Sequence, residues 1–143
     1  MEFGVAVKSA IVENNKILIL KKSSTEAIDP NTFDLPGGRI RFGERLEDAL
    51  LREIKEETGL HAKIIAPIDV WSVLKGSLHL VGITYLCEKT SGTIALSEEH
   101  ETAEWVEMKP ADFLPKWIND TIEKANAYSN HWKHLKENLR ELE

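Results

Sequence analysis

One segment, residues 38–60, limits the possible folds of this chain more than any other. It reads GRIRFGERLEDALLREIKEETGL, and Pro36 and Gly37 precede it. The pattern predicts a glycine loop, then an amphipathic helix that starts near Glu44 and ends at Gly59, because glycine adopts the left-handed conformation that closes a last helical turn. The rest of the chain must therefore supply a layer against which one side of this helix packs.

The acidic residues of this helix lie on its apolar side. Glu53, Glu56 and Glu57 follow the spacing i, i+3 and i+4, which brings side chains to one helix face. At about 100° per residue, Glu57 lies about +40° and Glu56 about −60° from Glu53, within the apolar sector. Inward-pointing carboxylates repel each other and are costly to bury unless a cation joins them. Because clustered oxygen ligands suit Mg²⁺ or Mn²⁺, the pattern predicts a divalent metal site.

The same segment resembles a family signature. Gly38, Glu44 and the run from Arg52 to Leu60 fill every specified position of G-x5-E-x7-R-E-U-x-E-E-x-G-U, where U is a bulky aliphatic residue. This is similar to the signature of the Nudix hydrolases of the MutT-like type. The resemblance implies hydrolysis of the pyrophosphate link in a nucleoside diphosphate joined to a group X. It also implies the α/β class, as a Nudix-type α/β/α sandwich with a mixed β-sheet between helices.

The flanking sequence predicts the same architecture. Two apolar, β-branched segments around the turn at residues 13–15 predict a hairpin, and the second segment is expected to be buried on both faces. Residues 39–42 predict a short strand, and residues 61–74, 78–88 and 103–108 predict further strands. Strands before and after a central helix, with helix again at the end, indicate an α/β/α sandwich. We expect a single Nudix hydrolase domain over residues 1–143.

The C-terminal region, residues 111–143, is predicted to be helical. Apolar residues recur there at three- and four-residue steps from Ile118 to Leu142, which is typical of one amphipathic helix or of two joined near Ser129 and Asn130. Cover for one face of the sheet is favoured over a dimer-forming arm.

Within the helix, the resemblance implies Mg²⁺ as the cofactor, with Mn²⁺ as a substitute. Glu56 and Glu57 are predicted to be direct ligands, and Glu53 to complete the cluster or orient the attacking water. The backbone beside Gly37 and Gly38 is predicted to add a further ligand, because glycine permits a close approach. Arg52 is expected to pair with a carboxylate, a phosphate contact being the alternative.

A second source of catalytic groups is the loop with the sequence Glu98-Glu99-His100-Glu101. In similar Nudix enzymes, a carboxylate of the corresponding loop binds metal or activates water. Glu99 is favoured as the base, ahead of Glu98, and Glu101 stays open. His100 is expected to be an exposed loop residue. The predicted catalytic residues are therefore Glu53, Glu99 and Arg52.

Predictions for substrate contacts rest on residue type. Arg39 and Arg41 precede the helix, whose start favours anions, so one of them is a candidate phosphate contact, with plain solvent exposure as the alternative. Phe33 is a candidate for stacking on a nucleobase. Three other aromatic residues, which could equally belong to the core, are further candidates: Trp71, Tyr85 and Trp105.

The predicted substrate is a nucleoside or deoxynucleoside triphosphate. The family's markers for ADP-ribose or diadenosine-polyphosphate substrates, a proline or tyrosine some fifteen to eighteen residues past the signature, are not matched by the sequence KGSL at residues 75–78. A nucleotide sugar such as ADP-ribose is the alternative substrate. A non-catalytic nucleotide sensor and a prenyl diphosphate isomerase, which would need a protonating group such as Cys87 near the metal, are the alternative functions.

Charge and composition restrict the partners. The net charge of −6 and the pI near 5.4 argue against nucleic-acid binding, which needs a basic surface. A small-molecule nucleotide is the expected partner, with no membrane, and the chain could be a monomer or a homodimer. The N-terminus lacks a signal-peptide pattern, and a single cysteine cannot form an internal disulfide, so we expect a cytoplasmic protein.

Overall fold

A computed structural model describes residues 1–142. The elements in chain order are β1 (Glu2–Glu13), β2 (Lys16–Lys22), β3 (Phe33–Asp34), β4 (Gly37–Arg39), α1 (Leu46–Thr58), β5 (His61–Lys75), β6 (Leu78–Ser91), β7 (His100–Glu107) and α2 (Lys116–Glu141). Neither of the helices in this described range is long and apolar enough to cross a membrane.

The strands form one mixed sheet. Its main order is β3-β2-β1-β6-β5, while β4 pairs with β1 and β7 pairs with β2. β1 and β6 run parallel, and the other pairs are antiparallel. The predicted hairpin joins β1 to β2 through Asn14 and Asn15, whose φ angles are 50° and 61°. Positive φ at both central residues matches the twist of the strands, and asparagine tolerates this conformation better than most residues.

A helix covers each face of the sheet. The cluster on the α1 side includes Leu18 and Leu20 of β2 together with Leu50 and Ile54 of α1. The cluster on the α2 side takes the alternate residues of β2 and packs them against Ile118 and Ile122. The α/β/α sandwich is therefore confirmed. All four central residues of β2 are buried, so the predicted burial of this strand on both faces is also confirmed.

Two element boundaries in this part of the chain differ from the predictions. The short strand predicted at residues 39–42 lies earlier, at Gly37–Arg39, because these residues pair with β1. The helix predicted to start near Glu44 begins at Leu46. β5, in contrast, agrees with the strand predicted over residues 61–74; it is continuous, with a register shift between Pro67 and Asp69, where proline lacks the N–H that a regular ladder uses.

The C-terminal region forms one long helix rather than two. Ile118, Ile122 and Ala125 are buried against the sheet, so the first part of α2 covers the face as predicted. Trp132, Leu135 and Leu139 are 51%, 38% and 62% exposed. The prediction that the whole apolar repeat covers the sheet is thus wrong for the second half of α2, which projects past the core.

Candidate active site

The glycines before α1 hold the backbone against the carboxylates. A Cβ atom on Gly37 would lie 2.0 Å from the carbonyl oxygen of Val7 in β1, and one on Gly38 would lie 2.6 Å from Cδ of Glu53. Only a residue without a side chain fits between the sheet and α1 at these positions. The N–H of Gly37 donates to Oε2 of Glu57 at 2.9 Å. The segment thus places main-chain groups beside both Glu53 and Glu57.

The three glutamates of α1 occupy different environments. Glu57 is 4% exposed, and the side chains of Glu53 and Glu56 are 15% and 50% exposed. Glu53 and Glu57 point inward as the spacing predicts. Glu56 lies at the edge of the apolar stripe, where its carboxylate is 3.2 Å from Nη1 of Arg52 and 3.7 Å from Nη2 of Arg41. The expectation of three inward carboxylates therefore fails for Glu56.

Arg52 links the loop before α1 to the helix. Its Nε and Nη2 donate to the two carboxylate oxygens of Glu44, each at 2.8 Å, and its Nη1 donates to Oε1 of Glu53 at 2.9 Å. Glu44 also accepts the N–H of Arg41 at 2.7 Å. These hydrogen bonds, those from Arg52 first, lower the pKa of Glu44 to about 2. The predicted pairing of Arg52 with carboxylates is present, and it holds the Glu53 side chain in place.

The loop between β6 and β7 is anchored to the end of α1. The N–H of Ala95 donates to the carbonyl of Thr58 at 2.8 Å, and the N–H of Ser97 donates to the carbonyl of Glu57 at 3.2 Å. These bonds satisfy carbonyls that the last turn of a helix leaves without partners. They also bring the following residues of the loop, Glu99 and His100, next to Glu57.

Glu57, Glu99 and His100 form a group of potential metal ligands. One carboxylate oxygen of each glutamate and one ring nitrogen of His100 all lie within 4.8 Å of one another. Glu99 is exposed and Glu57 is buried. His100 is only 5% exposed, so the expectation of an exposed loop histidine is wrong. β7 starts at His100, three residues earlier than predicted, which draws the side chain into the interior.

A buried ion pair supports His100. Its Nε2 lies 3.0 Å from Oδ2 of Asp34, and the other oxygen of Asp34 accepts from Nζ of Lys8 at 2.8 Å. Burial alone would raise the pKa of Asp34, but the Lys8 charge and the hydrogen bonds from His100 and Lys8 outweigh it and hold this pKa well below its usual range. For Lys8, burial lowers the pKa and the neighbouring Asp34 raises it, and the net effect is a raised pKa.

Sequence reasoning missed Lys8 and Asp34. The available signal was a charged residue inside a strand with apolar neighbours, as in AVKSA and FDL. Charged residues are rarely buried unless they are paired. Two such residues of opposite sign, each within an apolar strand, could therefore have been recognised as a candidate buried pair.

Glu53 and Glu57 lie in surroundings that disfavour their ionised forms. Burial raises the pKa of Glu57 to about 9, and the neighbouring Glu53 and Asp34 add to this rise, while Lys8 and the Gly37 N–H oppose it. Burial also raises the pKa of Glu53, against the opposing effect of Arg52. A divalent cation would stabilise both ionised groups. The donor set, with carboxylate oxygens and a histidine nitrogen that has no hydrogen-bond partner among the described residues, fits such an ion.

The predicted substrate contacts are spread over the molecule. Arg39 pairs with Glu2 at 2.9 Å, whereas Arg41 lies beside Glu56 at the site. Phe33 packs edge-to-face on Phe113, with ring centroids 5.8 Å apart, in the α2-side layer. The roles of these residues in substrate binding stay predictions.

The other aromatic candidates and Cys87 belong mainly to the core. Tyr85 is buried in the α1-side cluster, and Trp105 packs against it. Nε1 of Trp71 donates to Oγ1 of Thr84 at 3.0 Å. Cys87 is buried in the same cluster, and burial raises the pKa of its thiol to about 12. Such a thiol is a poor match for the proton donor that an isomerase would need.

The chain is similar to known proteins in both sequence and fold. The family model described as the NUDIX domain matches residues 3–128. An ADP-ribose pyrophosphatase of Methanocaldococcus jannaschii is 32% identical over 92% of this chain and 75% of its own length. The nucleoside triphosphatase NudI of Escherichia fergusonii is 28% identical over 80% of this chain and 88% of its own length. A MutT protein from Methanosarcina mazei Go1 has a TM-score of 0.79 at 23% identity, covering 90% of this chain and 96% of that one, which shows a shared fold.

Proposed function

We propose, since this chain belongs to the Nudix family of pyrophosphohydrolases, that its substrate is a nucleoside or deoxynucleoside triphosphate, cleaved at a pyrophosphate link to a nucleoside monophosphate and pyrophosphate. We also propose that the whole chain forms one hydrolase domain. The observation that carries the proposal is the convergence of Glu57, Glu99 and His100 within 4.8 Å, beside Glu53 and the backbone of Gly37 and Gly38. Such a group can hold a divalent cation against the phosphates of a nucleotide.

Each residue of the site has a proposed role. Glu53, Glu56, Glu57 and the Gly38 backbone would hold a Mg²⁺ or Mn²⁺ ion. When bound, this ion would neutralise the phosphate charge and polarise the phosphoryl oxygens. Arg52 keeps Glu53 in position. Glu99, on an exposed loop next to the buried ligands, takes a proton from the attacking water.

Local cations bring the substrate to an acidic protein. The chain carries a net charge of −6, which disfavours long nucleic acids and leaves a small nucleotide as the proposed partner. Arg41 lies at the rim of the site beside Glu56 and has an exposed guanidinium. We assign to Arg41 a contact with substrate phosphate, and to Arg39 a weaker one, because Glu2 already pairs with it.

A nucleotide sugar is the second candidate substrate. It is favoured by the relative named ADP-ribose pyrophosphatase, which aligns with 92% of this chain. The triphosphate is favoured by the relative named nucleoside triphosphatase, of which this chain covers 88%. The sequence of the β5–β6 turn, which lacks the proline or tyrosine marker, also supports the triphosphate.

A substrate panel tests the proposal. The protein is incubated with Mg²⁺ and each common nucleoside triphosphate, deoxynucleoside triphosphate and ADP-ribose, and products are separated by ion-exchange chromatography. A triphosphatase of this type releases pyrophosphate and a monophosphate, whereas cleavage of ADP-ribose releases AMP and ribose 5-phosphate. Preference for ADP-ribose would overturn the triphosphate assignment, and no turnover of any substrate would overturn the hydrolase site itself. Asp48→Asn, on the exposed side of α1, is the matched control for Glu57→Gln.

A further inference from the structure

We propose that His100 is itself a metal ligand through Nδ1, so that one metal position has both nitrogen and oxygen donors and prefers Mn²⁺ or Co²⁺ over Mg²⁺. The inference rests on the divalent-ion site of the proposed function. It concerns a residue for which the carboxylate pattern of the sequence predicts no role.

The first argument is the orientation of the ring. Nε2 of His100 lies 3.0 Å from Oδ2 of Asp34, and the other carboxylate oxygen of Asp34 accepts from Nζ of Lys8 at 2.8 Å. A carboxylate at this distance holds the proton on Nε2, which leaves a lone pair on Nδ1. Metal-binding histidines in proteins nearly always donate their other ring N–H to a carboxylate, a carbonyl or water in this way.

The second argument is the missing partner of the other nitrogen. Nδ1 is buried and has no hydrogen-bond partner among the described residues. Buried polar atoms are nearly always paired, because an unpaired one costs free energy. The ring lies beside the buried carboxylate of Glu57, so a shared metal ion would satisfy the nitrogen and this carboxylate together.

The third argument is distance. Donor atoms at about 2.1–2.2 Å from one ion can be no more than about 4.4 Å apart. One ring nitrogen of His100 lies within 4.8 Å of a carboxylate oxygen of Glu57, and Nδ1 is the ring nitrogen without a partner among the described residues. Coordination of one ion by both side chains therefore needs a movement of only a few tenths of an ångström.

The choice of ion follows from the donor set. Mg²⁺ prefers oxygen ligands in a near-octahedral arrangement, whereas imidazole nitrogen suits the first-row transition ions. The affinity of a mixed site rises from Mn²⁺ to Co²⁺ in the usual order. The position between Glu57 and His100 should therefore favour Mn²⁺ or Co²⁺, while the oxygen-only position near Glu53 and Glu56 remains suited to Mg²⁺.

A spectroscopic test detects the nitrogen directly. The unmodified protein is loaded with one equivalent of Mn²⁺, and electron spin echo envelope modulation is recorded for the natural-abundance protein and for protein labelled with ¹⁵N only in histidine. We expect nitrogen modulation that changes with the label. Its absence, or failure of Mn²⁺ to bind, overturns the proposal, and this measurement does not depend on any variant.

Variants then assign the nitrogen to His100. His100→Gln should remove the modulation, whereas His61→Gln, at an exposed histidine, should retain it. By calorimetry, His100→Gln should lose roughly tenfold or more in Mn²⁺ and Co²⁺ affinity and much less in Mg²⁺ affinity. Equal loss for all three ions would assign a merely structural role to His100 and overturn the proposal. If His100→Gln does not fold, retention of the modulation when each of the four exposed histidines is changed to Gln in turn assigns the nitrogen to His100, and its loss in any one of them overturns the proposal; these four are His61, His79, His131 and His134.

The outcome is independent of the proposed substrate. These measurements report coordination without turnover, so a missing nitrogen signal refutes the histidine ligand while the substrate panel still supports the hydrolase. Conversely, a nitrogen signal in a protein that cleaves none of the nucleotides refutes the proposed function alone.

Discussion

At the scale of single residues, Glu57 experiences the largest electrostatic conflict. Its carboxyl group is 4% exposed, and burial raises its pKa to about 9. Without metal, it therefore keeps its proton at pH values at which the unfolded chain has lost it. A carboxyl group with a raised pKa favours the folded state at low pH, and this contribution is lost as the pH rises from the unfolded pKa towards the folded one.

The first prediction follows from this sign. In EDTA, the free energy of unfolding should fall between about pH 5 and pH 9, by up to about 1.4 kcal/mol per pH unit from this group. Glu57→Gln should remove this part of the pH dependence and keep or raise the stability at pH 8, while activity falls by roughly 10² or more. Urea unfolding at several pH values measures the effect. A large loss of metal-free stability in the variant would instead show that Glu57 is an ion-pair partner, with Lys8 as the nearest candidate.

The second prediction separates the two other acidic roles. Glu56→Gln should raise the Mg²⁺ concentration needed for half of the maximal rate, because it removes a proposed metal ligand. Glu99→Gln should mainly lower kcat, by about 10²–10⁴, because it removes the proposed base. Titration of Mg²⁺ against rate in both variants distinguishes them.

Two results of that titration would change the assignment. If Glu99→Gln turns over like the parent, the base lies elsewhere, with Glu53 or Glu98 as the next candidate. If Glu99→Gln instead shifts the Mg²⁺ requirement strongly, Glu99 acts as a ligand. Its position within 4.8 Å of the other two potential ligands allows that role.

At the scale of elements, α1 and the loop before β7 act as one unit. The loop is bound to the last carbonyls of α1 through Ala95 and Ser97, and α1 ends in a left-handed glycine at Gly59 with φ of 75°. A Cβ atom on Gly59 would lie 2.8 Å from the carbonyl oxygen of Thr93. Glycine is thus required here both for its conformation and for the close approach of the loop.

The other helix, α2, divides into two halves with different roles. The residues it buries are Ile118, Thr121, Ile122 and Ala125, all in its first half. The third prediction is that a chain ending after Asn130 keeps its fold, with a Tm within a few degrees of the parent and similar activity. Thermal unfolding and light scattering after size-exclusion chromatography check this.

The same measurement tests the dimer-forming arm. If the parent is a dimer in solution, and the truncated chain is a monomer with a much lower Tm, then a second copy covers Trp132, Leu135 and Leu139. Equal masses and an unchanged Tm would show that the second half of α2 is dispensable.

At the scale of the whole molecule, the fold brings acidic residues together at one site. The net charge is −6, and inward acidic residues meet at the carboxyl end of α1, where the helix dipole is also unfavourable for them. Bound metal should relieve this repulsion, so metal binding and folding should be strongly linked.

The fourth prediction is a large metal-dependent rise in stability. At a cation concentration of about 100 Kd, binding adds about 2.7 kcal/mol to the free energy of unfolding. For a chain of this size, that amount raises the Tm by roughly 5–11 °C. Thermal unfolding with and without Mn²⁺ measures the shift, Asp48→Asn should show it in full, and Glu57→Gln should show little of it. An unchanged Tm of the parent at millimolar Mn²⁺ would contradict a metal site built from these residues.

Local patterns in the sequence determined the elements and the family. The apolar period of residues 46–58, the glycine that ends the helix and the alternation in β2 each depend on neighbours a few residues apart, so spacing alone predicts them. The signature from Gly38 to Leu60 determined the Nudix membership in the same way. Local spacing also placed Glu53 and Glu57 on the inner side of α1.

Only the tertiary structure decided which polar groups meet. Asp34 and His100 are 66 positions apart in the chain, and Lys8 reaches Asp34 from another strand, so no local period could reveal the pair. The position of Glu56 also depends on a distant partner, Arg41. The burial of His100 depends on the hydrogen bonds that join its loop to α1. Burial and pairing of charged groups result from long-range packing, whereas sequence periodicity reports only which face of an element a residue occupies.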